Sequence, residues 1–329
     1  GRNVAIGYEA LFTQDAGADA YNVAVGYSAG VSMSTGTNNT LVGGLAGDAI
    51  TTANGNTAVG YFALSSEDVG GRSVAVGQGA LKLQNGGGTT SVYNTAVGYE
   101  AGKSVTTGIL NTLIGGQAGL SLTTGSQNVA LGRQALYTED TGERNIAIGD
   151  RALFDANFDG NGYNVAVGHD AGNDISTGVK NTIVGGNAAK ANITTGSNNI
   201  VIGFEATTAA ADSNNSVTFG DSNIAAIRCQ VQTISALSDE RDKTNIQDST
   251  YGLDYINSLR PVTFEWNNRE ESVHKGTKDI GFIAQELQKV DDEYTKLVLA
   301  DNAERLEASY ARLIPVLVKA IQDLSEEVK

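Results

Sequence analysis

The chain has 329 residues and a formal net charge of −15, with 41 glycines, two prolines, one tryptophan and one cysteine. Residues 1–237 carry 18 acids against 10 bases and residues 238–329 carry 19 against 12, so neither half offers a basic footprint and nucleic-acid binding is excluded. The lone Cys229 rules out a disulfide framework or a cysteine zinc site, no apolar run approaches the ~18 residues of a membrane span, and no secretory signal is visible.

Composition changes near residue 237. Only Gly252, Gly276 and Gly281 lie beyond it, whereas Pro261, Pro315 and Trp266 all do. We therefore expect two domains, 1–237 and 238–329, that fold by different rules. The chain opens at Gly1-Arg2-Asn3 inside a repeat and without Met, which leads us to expect a piece of a longer protein.

From the first residues a motif Asn-x-Ala-Val/Ile-Gly recurs, as in Asn22-Val23-Ala24-Val25-Gly26 and Asn56-Thr57-Ala58-Val59-Gly60. Its glycines fall at 7, 26, 43, 60, 77, 98, 115, 132, 149, 168, 185, 203 and 220, mostly 17 apart, and four such steps form a longer unit of 70–72 residues. Alternation within each copy argues for a strand, and the Gly/Asn/Thr clusters between copies argue for turns. Glycine this dense does not sustain helices. A strand recurring without hairpin signals predicts a parallel β-solenoid, a β-roll or β-helix of ~17-residue coils. Thirteen coils at a strand spacing of roughly 4.8 Å give a rod about 60 Å long. Residues as small as Ala24 and Ala58 do not fill a wide core, so we expect chains wound together, most simply three, each burying its neighbour's apolar strip. The motif resembles the head repeats of trimeric autotransporter adhesins, which implies a trimeric β-roll.

Two features of the array have the residue types of a site. Asp155-x-Asn157-x-Asp159-Gly160 matches the first half of a calcium loop, with oxygen ligands at alternate places. Its bidentate acid is missing, because Ala166 stands at the twelfth place, and an ordinary turn explains the segment better. Glu9, Glu100 and Glu205 each follow an aromatic residue (Tyr8, Tyr99, Phe204) at equivalent coil places. Across stacked subunits such carboxylates would offer the acid pair of a glycoside hydrolase, and solvated faces explain them equally well. No cofactor is expected.

Beyond residue 237 the pattern is that of a small α+β domain. Tyr251–Leu259 reads as a short helix ending before Arg260-Pro261, Val262–Trp266 as a strand, Lys278–Ile283 as a second strand leading into a helix over Ala284–Val290, and Leu297–Leu299 as another strand. Leu306, Tyr310, Leu313, Leu317, Ala320, Leu324 and Val328 then fall at four- and three-residue steps, broadened by Ile314 and Ile321. That is the seam of a coiled coil, or the buried stripe of a helix packing on its own domain, with Pro315 near its start.

Four blocks carry a second resemblance: Ser238-Asp239-x-Arg241-x-Lys243-x-Asn245-Ile246, Leu259–Trp266, Gly281–Leu287 and Tyr310–Leu324. In this order they resemble the endosialidase-type intramolecular chaperones, peptidase family S74. That family caps phage tail spikes, tail fibres and neck appendages, drives trimerisation of the preceding β-structure and releases itself by cutting before the motif serine. Asp291-Asp292 departs from it, standing where members often have proline. The resemblance implies that Ser238 is the nucleophile, Lys243 its base and Leu237–Ser238 the scissile bond. A neutral lysine deprotonates serine once desolvation lowers its pKa from ~10.4 toward neutrality, and neither His169 in the array nor His274 is placed to help. The Ser238 hydroxyl reaches the Leu237 carbonyl through a five-membered ring, so an N→O acyl shift followed by ester hydrolysis is the expected route.

The reading at this stage is a viral tail fibre or appendage, a homotrimer resident in the virion and assembled in the host cytoplasm. Its solenoid would be a shaft or a tip for a host surface receptor or glycan, with further virion proteins upstream. The alternatives are a tail-spike glycan depolymerase and a cellular trimeric adhesin with the same chaperone.

Overall fold

The structure, a computed structural model, describes the chain apart from residues 18, 87, 89–90, 191–192, 225, 229, 231–237, 268–274, 301 and 305. Cys229, Leu237 and His274 therefore lie outside the described residues. The chain forms two compact units, Gly1–Asp221 and Ser222–Lys329.

The first unit is a solenoid of thirteen parallel strands in sequence order, β1 (Val4–Ile6) to β13 (Val217–Phe219), each three residues long. Every strand pairs with the next in one register, Val23 with Thr40 and Ala24 with Leu41 for β2 (Val23–Val25) and β3 (Thr40–Val42). Register is fixed by the motif glycine. Gly26 sits at φ +141, and a Cβ there would lie 2.4 Å from the Gly43 carbonyl oxygen one coil on. Coils stack backbone on backbone at this corner, and no side chain fits between them.

The motif asparagine supplies the second constraint. Asn39 accepts at Oδ1 from the backbone N–H of Asn56 (2.9 Å) and donates from Nδ2 to the Ala53 carbonyl (2.8 Å). The same pattern runs through Asn94, Asn111, Asn128 and Asn181, all fully buried. Each side chain thus pairs backbone groups that the narrow interior seals from water. Ser73 interrupts the ladder, and there Gln84 donates to both Ser73 Oγ (3.1 Å) and the buried Glu67 (2.8 Å).

The core corrects the expectation that the array needs partner chains to fill its interior. The central residue of each strand from β2 to β12 (Ile200–Ile202) is fully buried within one chain. Where that residue is Ala58 or Ala75, Leu64 or Leu81 fills the opposite wall; where it is Leu41 or Leu113, the wall carries Gly47 or Gly119. The interior is narrow, so alanine is large enough. Solvent instead meets the two flanking residues of each strand, the Val, Ile and Thr of patterns such as Val23-Ala24-Val25, which remain partly exposed along the whole sheet.

The second unit contains α1 (Leu253–Ser258), a hairpin of β14 (Val262–Glu265) and β15 (Lys278–Gly281), α2 (Ala284–Leu287), a pair of short strands β16 (Val298–Leu299) and β17 (Glu307–Ala308), and α3 (Leu313–Glu327). Its core is small: Leu287, Leu297 and Leu313 are buried against Tyr255, Ile256, Leu259, Phe282, Val298 and Ala308. Pro315 sits in the first turn of α3, where its missing N–H is not needed. The single seam read from sequence separates into two faces. Leu313, Val316 and Ala320 are buried, whereas Leu317 and Leu324 point to solvent with Ile314, Ile321 and Val328. Leu306 lies outside the helix, immediately before β17.

Candidate active site

Ser238 and Lys243 flank a 3₁₀ turn, Glu240–Asp242. Asp239 starts it: its extended backbone (φ −68, ψ 136) presents the carboxylate to the Arg241 N–H, which it accepts at 2.9 Å. The Lys243 N–H closes the turn on the Glu240 carbonyl at 3.0 Å. Three residues of tight turn bring the two ends together, and a lysine side chain is long enough to reach back. Lys243 Nζ donates to Ser238 Oγ at 2.7 Å and to the Ser238 carbonyl at 3.2 Å. Both residues are exposed.

The turn holds one further ion pair. Arg241 grips Asp239 through Nε (2.9 Å) and Nη2 (2.6 Å), and this side-chain contact holds the Asp239 carboxyl below its ordinary range. The sequence showed both residues as motif members but gave no sign of their pairing.

Asp291-Asp292, the departure from the family pattern, organises a loop. Asp291 accepts from the N–H groups of Leu297 (2.7 Å) and Val298 (2.9 Å), and Asp292 from those of Tyr294 and Thr295. The Tyr251 hydroxyl donates to Asp292, which pushes the phenol up to about 12 and the carboxyl down to about 2.

The remaining candidates do not converge. Asp155, Asn157 and Asp159 lie exposed while Ala156 and Phe158 between them are buried. Their alternate spacing is the period of an edge running along the core, not of a loop wrapped around an ion. Partial burial and Asp174 of the next coil push the Asp155 carboxyl up, and Asp159 accepts from Thr141 Oγ1 at 3.1 Å. Among the described residues no three His, Cys, Asp or Glu side chains are grouped to hold a metal. Glu9, Glu100 and Glu205 occupy one corner of the coil but belong to the first, sixth and twelfth coils. At roughly 4.8 Å per coil, neighbours among them stand more than about 20 Å apart within a chain, against the roughly 5–9.5 Å of hydrolase pairs. Glu100 is instead engaged by Lys103 (2.7 Å) and Gln117 (3.3 Å).

Sequence reading missed Glu67 and Glu139, both fully buried. Glu139 Oε1 accepts from the N–H groups of Gly142 (2.6 Å), Asp140 (3.0 Å) and Thr141 (3.2 Å), and Glu67 holds Gly70 (2.6 Å) and Asp68 (3.1 Å) in the same way. Burial pushes the Glu139 carboxyl up against the pull of these donors. The signal was available as Glu-Asp-x-Gly, present at Glu67–Gly70 and at Glu139–Gly142.

With this geometry in place, comparison with known proteins adds one result. Residues 238–299 match the family Peptidase_S74, the chaperone of endosialidase. The match begins at Ser238 and spans α1, the β14–β15 hairpin, α2 and β16. A segment of the second unit is thus similar to the chaperone of endosialidase, in a chain whose first unit is a β-solenoid. No curated protein matches the chain.

Proposed function

We propose that residues 238–329 are an intramolecular chaperone that assembles three copies of the solenoid and then cuts itself free between Leu237 and Ser238. The observation that carries the reading is the 2.7 Å contact of Lys243 Nζ with Ser238 Oγ at the first residue of the family match. In the reaction, neutral Lys243 takes the Ser238 hydroxyl proton and Oγ adds to the Leu237 carbonyl carbon. The C–N bond breaks as the Ser238 nitrogen gains a proton, leaving an ester. Water then cleaves the ester to a Leu237 carboxylate and restores the Ser238 hydroxyl beside a free amino terminus. The turn is exposed in a single chain. Covering the turn on assembly supplies the desolvation that a lysine base requires, so cleavage follows trimerisation.

Two unpartnered apolar surfaces support association. The α3 stripe of Ile314, Leu317, Ile321, Leu324 and Val328 alternates three- and four-residue steps, the spacing of a coiled-coil seam. The outward Val/Ile/Thr face of the solenoid runs about 60 Å along its thirteen strands, and a contiguous, largely aliphatic face of that extent marks an interaction surface. Identical coils pair equally well out of register, so a C-terminal domain that associates first would set the alignment. Removing it afterwards leaves the rod kinetically trapped.

A fibre or appendage of a virion, binding a host receptor or glycan, is the setting in which such a chaperone and rod belong together, and it is the one we favour. The test is denaturing electrophoresis with amino-terminal sequencing of the wild type, Ser238→Ala and Lys243→Ala. The reading requires a fragment beginning at Ser238 from the wild type and intact chains from both variants. An intact wild-type trimer would reduce the domain to a retained cap.

A further inference from the structure

The residues that link Ser238 to Lys243 pose an electrostatic problem. Asp239, Glu240 and Asp242 place three carboxylates beside a lysine that must lose its proton to act as a base. A carboxylate paired with that lysine would favour the ammonium and oppose the chemistry. Yet among the described residues no carboxylate, on this turn or on any other element, lies within ion-pair distance of Lys243, and its Nζ bonds only to Ser238. Asp239 is adjacent to the nucleophile, and Arg241 occupies both of its oxygens. An exposed pair of this kind adds little stability, which leaves its role to be found in the site it borders.

We propose that Asp239 and Arg241 are positioning residues for self-cleavage: Asp239 caps the turn that returns Lys243 to Ser238, and Arg241 keeps the Asp239 carboxylate off the lysine. Arginine suits the task because it stays charged throughout the working pH range and its fork matches both carboxylate oxygens. The inference rests on the self-cleavage reading and adds to it the reason a turn this acidic can host a lysine base.

The test is the rate of self-cleavage of the full chain against pH, for assemblies confirmed to have the wild-type oligomeric state. Arg241→Gln releases Asp239 to pair with Lys243. Cleavage near neutral pH should fall about tenfold, and the rise of rate with pH should move up by about one unit. Asparagine still caps a turn without carrying charge, so adding Asp239→Asn to Arg241→Gln should return the profile close to wild type. Asp239→Ala, which loses the cap and the carboxylate together, should slow cleavage at every pH without moving the midpoint upward. If Arg241→Gln fails to assemble, Arg241→Lys takes its place with a smaller shift, since an ammonium cannot clamp both oxygens. An unshifted profile for the Arg241 variant, or a double variant slower than the single one, overturns the proposal while self-cleavage stands. A wild type that never cleaves overturns both.

Discussion

The Leu41 side chain fills the space that a Cβ on Gly47 would need, its Cδ2 lying 2.8 Å from that position, and its Cδ1 lies 2.7 Å from the matching position on Gly30 one coil earlier. Leu113 stands in the same relation to Gly119 (2.8 Å) and Gly102 (2.6 Å). In the two coils that follow each of these the volumes are exchanged, with Ala58 and Ala75 matched by Leu64 and Leu81, and Ala130 and Ala147 by Leu136 and Leu153. The 70–72-residue period in the sequence is therefore a packing period, in which bulk moves from one wall of the narrow core to the other. Leu41→Ala should cost about 2–5 kcal/mol through the cavity it opens. Gly47→Leu in the same chain should recover part of that loss, because Leu64 occupies the equivalent corner at φ 54 and the other close neighbour of the Gly47 position, Ile50 Cδ1 at 2.8 Å, is the movable end of a side chain. Chemical denaturation of the three proteins checks this, and a double variant no more stable than Leu41→Ala would refute the exchange.

The asparagine ladder makes a second prediction. Asn111→Ala leaves the buried Asn128 N–H and Gly125 carbonyl without the partners they have at 3.0 and 2.9 Å. Two unsatisfied buried groups cost about 2–6 kcal/mol. The damage is local, since each coil contacts only its neighbours. Hydrogen exchange should quicken at Asn128 and in the adjoining coils while distant coils stay protected.

The Tyr251–Asp292 contact should be visible in titrations. The phenol is raised to about 12 by its hydrogen bond to the carboxylate, so the contact's contribution is complete below the ordinary tyrosine range near pH 10 and is lost as pH climbs through about 12. Asp292, depressed to about 2 chiefly by the same bond, contributes above the ordinary aspartate range and loses its contribution as pH falls through about 2. Phenolate absorbance should show a late-ionising group that includes Tyr251, alongside Tyr8 and Tyr255, whose phenols are also raised. Asp292→Asn should bring Tyr251 back toward 10, and an unchanged titration would count against the contact.

The outward stripe of α3 separates association from folding. Ile321→Asp alters a residue 67% exposed in the single chain, while Leu313, Val316 and Ala320 on the opposite face keep their packing. We expect a monomeric second unit with wild-type circular dichroism and, under the proposed coupling of cleavage to assembly, an uncut chain. Sedimentation velocity with electrophoresis decides it; a trimer that forms and cuts normally would remove α3 from the interface.

Sequence alone determined the solenoid, because its code is local and repeated. A glycine that only backbone can approach, an asparagine that pairs two backbone groups and a central small or aliphatic residue specify each coil through its immediate neighbours. Most elements of the second unit were legible to within a few residues through apolar periodicity punctuated by Pro261 and Pro315, whereas β17 was hidden in the apparent start of the helical stripe at Leu306. What tertiary structure alone decided were relationships across the coil or across a turn. Periodicity does not say which wall holds the bulk, so only packing showed that one chain closes its own core and that the Val/Ile/Thr face is the one left over. Nor does a heptad-like pattern say which of two adjacent stripes is buried. The Asp239–Arg241 clamp is a matter of which cation reaches which carboxylate, and in a run of five charged residues only the fold of the turn makes that choice.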